Sequence, residues 1–350
     1  MENIAKQIAE ITSDYHKDDN FVMDSQHIIN WVVQFDENDR EFILSELLHI
    51  LKKGVYVSKD NAKKILFEFI KFLYKHLKYT DINQFLGESV FISTQKPHKS
   101  QSILLTILDE ILKENSNYIV KTSGSILKKN YIYIDDILGT GQTYKREVKK
   151  YIEDNNLIND LVKDKIQFIS FFFCIHTWAL NNTKYSLKIE FKGEDLFLNP
   201  KKFQVISHYN INNNSKDYNS SYNLIYPEKS KPEYDAYLSS LENAQYNLDR
   251  AYRDLNKPNQ ELFFSSKNNR VRLEQIFLDK GIQIINSIND EDSRKKHRPL
   301  GRTYPSYKTF GTGTLFFTWS NISNTCPIVF WWDNPAHNWK GLFPLKNRGN

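Results

Sequence analysis

Between Tyr131 and Thr143 the chain reads YIYIDDILGTGQT. Two adjacent carboxylates, Asp135 and Asp136, close a run of four apolar or aromatic residues. Gly139, Thr140, Gly141, Gln142 and Thr143 follow, ahead of a helix-forming segment. A glycine-rich turn lets successive backbone N–H groups converge on an anion, and the start of a helix adds its dipole and its unsatisfied donors. The threonine hydroxyls add further donors. Carboxylates one step upstream suit the vicinal hydroxyls of a ribose, which donate charge-assisted hydrogen bonds to them. A diol site beside a phosphate site suits a ribose 5-phosphate. An acid pair before a glycine turn can also be plain turn chemistry, but all positions of the run fit the ligand reading.

Such a site needs a parallel sheet, because ligands of open α/β sheets bind at the carboxyl ends of the strands. The sequence predicts short strands at Val90–Ser93, Tyr118–Lys121 and Tyr131–Asp135, with helices at Ser102–Leu112 and Thr143–Ile152. Ile166–Ile175 (IQFISFFFCI) is a continuous apolar run, suited to a central strand buried on both faces. Strand and helix in alternation imply right-handed crossovers. His176 ends the last strand and is expected to face the same crevice or to be a structural residue.

Around this core, residues 1–80 read as a helical layer. Apolar clusters at Ile28–Phe35 and Phe42–Leu51 have helical spacing, Gly54 stops the second helix, and Asp60 caps a third. Residues 81–185 form the expected sheet core. Residues 186–260 are an insertion, with a polar loop at 208–233 and a helix over Leu238–Leu255. Residues 261–350 are a C-terminal extension packing on the core, so that the whole is one elaborated domain. In it, Arg272–Ser287 reads as helix, turn at Gly281, then strand, and 293–302 (SRKKHRPLGR) as a basic loop. Its aromatics Phe316, Phe317, Trp319, Trp331, Trp332, Trp339 and Phe343 read as core.

The chain has 350 residues, of which 40% are apolar and 25% charged, which excludes a disordered or fibrous protein. Its net charge of +5 permits an anionic ligand without demanding nucleic acid. Two cysteines, Cys174 and Cys326, cannot staple a chain of this size. No apolar run approaches the ~20 residues of a membrane helix, and the expected location is the cytoplasm, away from any membrane.

The apolar strand, Asp-Asp, two apolar residues and Thr-Gly-x-Thr loop resemble the signature of type I phosphoribosyltransferases, which bind phosphoribosyl pyrophosphate. Gly139 stands where that family usually has Thr. The ends of the chain narrow the resemblance. Trp31–Arg40 (WVVQFDENDR), Phe310–Gly313, Asn321–Pro327 and Trp339–Pro344 resemble segments of the phosphoribosyltransferase-like conflict effector family, PRTase-CE. Members of that family are associated with bacterial anti-phage systems, including retrons.

The resemblance implies a phosphoribosyltransferase-like α/β fold in which Asp135 and Asp136 fix the ribose and residues 139–143 hold the 5-phosphate. It implies a pyrophosphate loop at 94–101 (TQKPHKSQ), offering Lys96, His98, Lys99 and Ser100. A second loop at 122–129 offers Ser123, Lys128 and Lys129, and is shorter than the mobile catalytic loop of some transferases. Mg²⁺ would be bridged by the ligand rather than held by the protein directly. The ligand would be phosphoribosyl pyrophosphate or a nucleotide, and the partners a retron reverse transcriptase or other defence proteins. A non-catalytic nucleotide sensor in a defence complex is the alternative, and a nucleic-acid-binding protein using 293–302 a further one. YIDD also matches the Tyr-x-Asp-Asp box of reverse transcriptases. That reading lacks an upstream strand with a third acid, and the GTGQT turn suits phosphate better than a hairpin.

Overall fold

The computed structural model describes residues 1–350 apart from 117–119, 123–126, 193–194, 214–221, 242–247, 304–308 and 346–350. The chain divides into two compact units, residues 59–210 and residues 1–58 with 211–350.

The second of these joins the two ends of the chain. It contributes α1 (Glu2–Thr12), α2 (Ser25–Val32), α3 (Glu37–Ile50) and β1 (Tyr56–Val57) from the amino-terminal side. Asp24 caps α2 by accepting from the His27 amide at 2.7 Å, satisfying one of the donors that a helix start leaves open. Trp31 donates its indole N–H to the Val329 carbonyl at 2.9 Å, and His27 bonds the Leu342 carbonyl at 2.8 Å. The amino-terminal helices and the carboxyl-terminal aromatics thus share one core.

The unit 59–210 carries the sheet. Its elements are α4 (Lys59–His76), α5 (Ile82–Gly87), β2 (Ser89–Phe91), α6 (Ser100–Ser116), β3 (Asn130–Leu138), α7 (Gln142–Asp154), α8 (Ile158–Val162), β4 (Gln167–His176), α9 (Thr177–Glu190) and β5 (Phe203–Ile211). The strand order is β2-β3-β4-β5. β2, β3 and β4 are mutually parallel, with Tyr131 opposite both Val90 and Phe168. The expected parallel α/β core is therefore present. β4 is buried along nearly its whole length, as a strand covered on both faces must be.

The unit boundaries fall at 58/59 and 210/211, not at 80, 185 and 260. α4, expected in the helical layer, belongs to the sheet unit because its apolar stripe packs there, with Phe69 stacked on Phe171 at 4.4 Å. Residues 203–211 are a sheet strand rather than part of an insertion. The strand expected at Tyr118–Lys121 lies partly outside the described residues; the Lys121 carbonyl accepts from the Phe91 amide at 2.8 Å.

The carboxyl-terminal half adds β6 (Leu224–Ile225), α10 (Pro232–Ser239), α11 (Leu248–Ala251), α12 (Lys267–Asn286), α13 (Glu291–Lys296), β7 (Gly313–Thr314), β8 (Phe317–Thr318) and α14 (Ile328–Trp331). Three expectations change here. The single helix expected over Leu238–Leu255 is not formed: α10 starts at Pro232, which is preset for a first helical turn, and ends at Ser239, α11 covers only Leu248–Ala251, and 242–247 lie outside the described residues. α12 runs unbroken through Gly281, because that glycine answers close packing, not a turn: a Cβ there would lie 2.9 Å from Pro299. The basic segment is a helix as far as Lys296, and Arg298 is buried, so it is not a continuous exposed loop. Trp319, Trp331, Trp339, Phe316, Phe317 and Phe343 are buried as expected, while Trp332 is half-buried and stacks on His337. Cys174 and Cys326 are buried. Among the described residues no helix is long and apolar enough to cross a membrane.

Candidate functional site

β3 is an inner strand of the parallel sheet, and it continues through both acids to Leu138. Alternate strand residues project to opposite faces. Tyr131, Tyr133 and Asp135 share one face, where Tyr131 packs on Tyr151 and Tyr133 on Tyr144 of α7. Asp136 lies on the other register and stays half-exposed, accepting from the Ile137 amide at 2.7 Å. The two acids are therefore neighbours but not equivalents.

Asp135 is 7% exposed. Its Oδ1 accepts from Ser100 Oγ at 2.6 Å and from the Asp136 amide at 2.9 Å. Its Oδ2 accepts from Gln95 Nε2 at 2.8 Å and lies 3.1 Å from the Tyr133 hydroxyl. Burial, followed by the Asp136 charge, pushes its carboxyl up to about 7, against the opposing hydrogen bonds from Ser100, the Asp136 amide and Gln95. Burial does this because it penalises the charged form.

A second carboxylate adjoins the first. Glu147, in the second turn of α7, accepts from the Tyr133 hydroxyl at 2.8 Å, Thr94 Oγ1 at 2.9 Å and Gln95 Nε2 at 3.3 Å. Tyr133 has one hydroxyl proton for two carboxylates. A proton on Asp135 would complete the chain from Asp135 through Tyr133 to Glu147. The loop that supplies these donors is itself held by Gln101, whose Oε1 accepts from the Thr94 amide at 2.7 Å and the Gln95 amide at 3.1 Å. Gln101 Nε2 is buried and has no partner among the described residues.

Past the acids, residues 139–141 turn the chain into α7. Gly141 is the residue before the helix, with φ of 78°, a region that glycine enters without steric cost. A Cβ on it would also meet Thr183 Oγ1 of α9 at 2.1 Å. Because it is glycine, the start of α7 carries no side-chain cap, and no acid occupies its first turn. Its first amides are thus left uncapped by a side chain, with the positive end of the helix dipole at the turn. Gln142 and Thr143 are exposed, and Gly139 and Thr140 half-exposed. Lys145 and Lys149 pair with Glu190 at 3.1 and 3.0 Å, bracing α7 on α9.

The pyrophosphate-loop residues divide. Ser100 joins the site, Lys96 is exposed and Lys99 half-exposed on the same loop. Lys128 is not brought there. It donates to the Gly87 carbonyl at 2.8 Å, and Lys129 pairs with Glu88 at 2.8 Å, both at the amino ends of the strands. At ~3.3 Å per strand residue, the length of β3 separates them from the phosphate turn. Ser123 lies outside the described residues. His176 is fully buried, and burial lowers it to about 3, so it is a neutral interior residue, not one facing an open crevice.

Gln95, Tyr133 and Glu147 were not singled out by the sequence. Two of them had a signal. Tyr133 is two residues before Asp135 on a strand, hence on the same face. Glu147 shares the helical face of Tyr144, Val148 and Tyr151.

A family model described as PRTase-CE matches residues 28–345, nearly the whole chain. The chain belongs to the PRTase-CE family. No curated protein and no solved structure matches it. Within this PRTase-CE chain, the described residues include no group of three or more His, Cys, Asp or Glu side chains arranged to hold a metal ion. The Asp135 oxygens are already enclosed by donors. Among the described residues, the donors around Asp135 therefore leave its oxygens no free position for a magnesium ion.

Proposed function

We propose that this PRTase-CE protein binds a ribose 5-phosphate compound, phosphoribosyl pyrophosphate or a nucleotide, and acts as an effector of a bacterial anti-phage defence system. The observation that carries the reading is the Asp135–Asp136 pair on an inner parallel strand, followed at once by the Gly141 turn into the uncapped start of α7. The α7 amides and the Thr140 and Thr143 hydroxyls receive the 5-phosphate. Asp136 accepts from the ribose from its half-exposed position, and Asp135 does so once its present donors move. Transfer at the anomeric carbon would pass through an oxocarbenium-like state, which nearby carboxylates stabilise. Mg²⁺ would be supplied with the ligand and would neutralise part of its phosphate charge.

Asp135→Asn combined with Asp136→Asn is expected to weaken calorimetric binding of phosphoribosyl pyrophosphate with Mg²⁺ by about a hundredfold or more, since hydrogen bonds to charged groups contribute ~1.5–3 kcal/mol each. It should also abolish toxicity in cells. Equal binding by wild type and the double variant would sink the reading.

A second reading is a nucleotide sensor without turnover, working with a partner such as a retron reverse transcriptase. Lys128 and Lys129 favour it, because they are engaged at the amino ends of the strands and leave loop 122–129 without its expected cations at the site. Incubation with phosphoribosyl pyrophosphate, Mg²⁺ and pooled bases or nucleotides separates the two. Released pyrophosphate or free base supports the transferase; binding without release supports the sensor.

A further inference from the structure

Four groups enclose the Asp135 carboxylate, two on each oxygen. On Oδ1 they are the Asp136 amide and the Ser100 hydroxyl; on Oδ2 they are the Tyr133 hydroxyl and the Gln95 amide. These contacts occupy the positions from which a carboxylate accepts. The Asp136 amide and Tyr133 belong to β3 itself and are fixed by the sheet. Ser100 and Gln95 come from the segment between β2 and the start of α6. The replaceable donors are thus one per oxygen, and both sit on one short segment, so they leave together.

Resting on the ribose-phosphate reading above, we infer that Ser100 and Gln95 are specificity-determining residues that reserve Asp135 for a ligand offering two adjacent hydroxyls. A cis-diol presents two O–H donors at a spacing close to that of the two oxygens of a carboxylate. It replaces Ser100 and Gln95 at once and leaves no buried lone pair unmatched. A 2-deoxyribose presents one donor where two are lost, and a buried acceptor left unmatched is expensive. The gate favours ribosyl over deoxyribosyl compounds because the ligand must match what the loop already provides.

The loop is also prepared to leave. Among the described residues the buried Gln101 Nε2 has no partner in this arrangement, and the Thr94 and Gln95 amides rest on Gln101 Oε1 rather than on a strand. Its displacement therefore breaks no sheet ladder.

The test compares binding of ribose 5-phosphate and 2-deoxyribose 5-phosphate to the full chain by calorimetry. Wild type should prefer the ribose compound by about tenfold or more, the ratio for one buried acceptor left unmatched. Ser100→Ala and Gln95→Ala should each bind both sugars more tightly and reduce the preference several-fold. Ser100→Thr keeps a hydroxyl and should keep the preference. If ribose 5-phosphate binds but the preference is unchanged in both alanine variants, the inference fails while the ribose-phosphate reading stands. Weaker ribose 5-phosphate binding by both alanine variants would mean that the loop donors assist the ligand, and also overturns it. If neither sugar phosphate binds any form, the ribose-phosphate reading fails and takes this inference with it.

Discussion

The two units each bury carboxylates, and they neutralise them in opposite ways. In the carboxyl-terminal half, Arg270 is 1% exposed and contacts Glu261 at 2.5 Å and Glu274 at 3.2 Å. It also donates to the carbonyls of Leu224 and Tyr222 and lies over the Phe264 ring. Arg253 pairs with Glu274 at 2.9 Å and with Glu228. Burial would lower the Arg253 guanidinium, yet Glu274 and Glu228 more than reverse it. In the sheet unit, Asp135 and Glu147 have only hydroxyls and amides around them, and among the described residues no cation pairs with either. Acids matched to guanidinium forks form a brace that nothing can enter without stranding a charge. Acids matched to neutral donors can exchange those donors for others of the same kind, and can take up a proton. The first arrangement holds a fold; the second suits a binding site.

The comparison breaks most visibly at Glu274. Glu274→Ala leaves two buried guanidinium groups short of a partner, and should cost ~3–5 kcal/mol in a denaturant titration. A loss below about 1 kcal/mol would remove the contrast between the two regions. Asp135 is tested by pH. Its folded value of about 7 lies above the ordinary carboxylate range, so between pH ~4 and ~7 the folded chain keeps a proton that the unfolded chain releases. Stability from this group therefore falls as pH rises, by at most ~1.4 kcal/mol per pH unit. His176, lowered to about 3, acts in the opposite sense: its contribution is present above its ordinary 6.5 and is lost as pH falls toward 3. The two slopes offset each other in wild type. Asp135→Asn should unmask a stability that rises with pH between ~4 and ~6.5. Parallel profiles for variant and wild type would mean that Asp135 is charged throughout. The smallest effect is at Tyr133. Tyr133→Phe removes the proton shared between Asp135 and Glu147 and should cost about 1 kcal/mol in urea titration, with no measurable loss pointing to a bridging water that replaces it.

Much of the fold was legible because its cause is local. The run from Tyr131 to Ile134 and the run from Ile166 to Ile175 are strands by apolar continuity, and Thr143–Ile152 is a helix by spacing. The positions of the acids and of the glycine turn follow from the same stretch of chain. Where tertiary packing decided, reading failed. Gly281 reads locally as a turn, yet it lies inside α12, because Pro299 leaves no room for any side chain there. α4 follows the amino-terminal helices in sequence, but its apolar stripe packs in the sheet unit.

By itself, the sequence determined that an apolar strand ends in an acid pair and turns through glycines into a helix, since all of these lie within thirteen consecutive residues. Only the tertiary structure decided that the two acids differ. Strand alternation turns Asp135 inward and leaves Asp136 half-exposed, and the approach of loop 94–101 and α7 brings Ser100, Gln95 and Glu147 around it from positions up to 40 residues away. Lys128 shows the converse: eleven residues before the motif turn in sequence, it is held at the far end of the strand because an extended chain carries its neighbours apart.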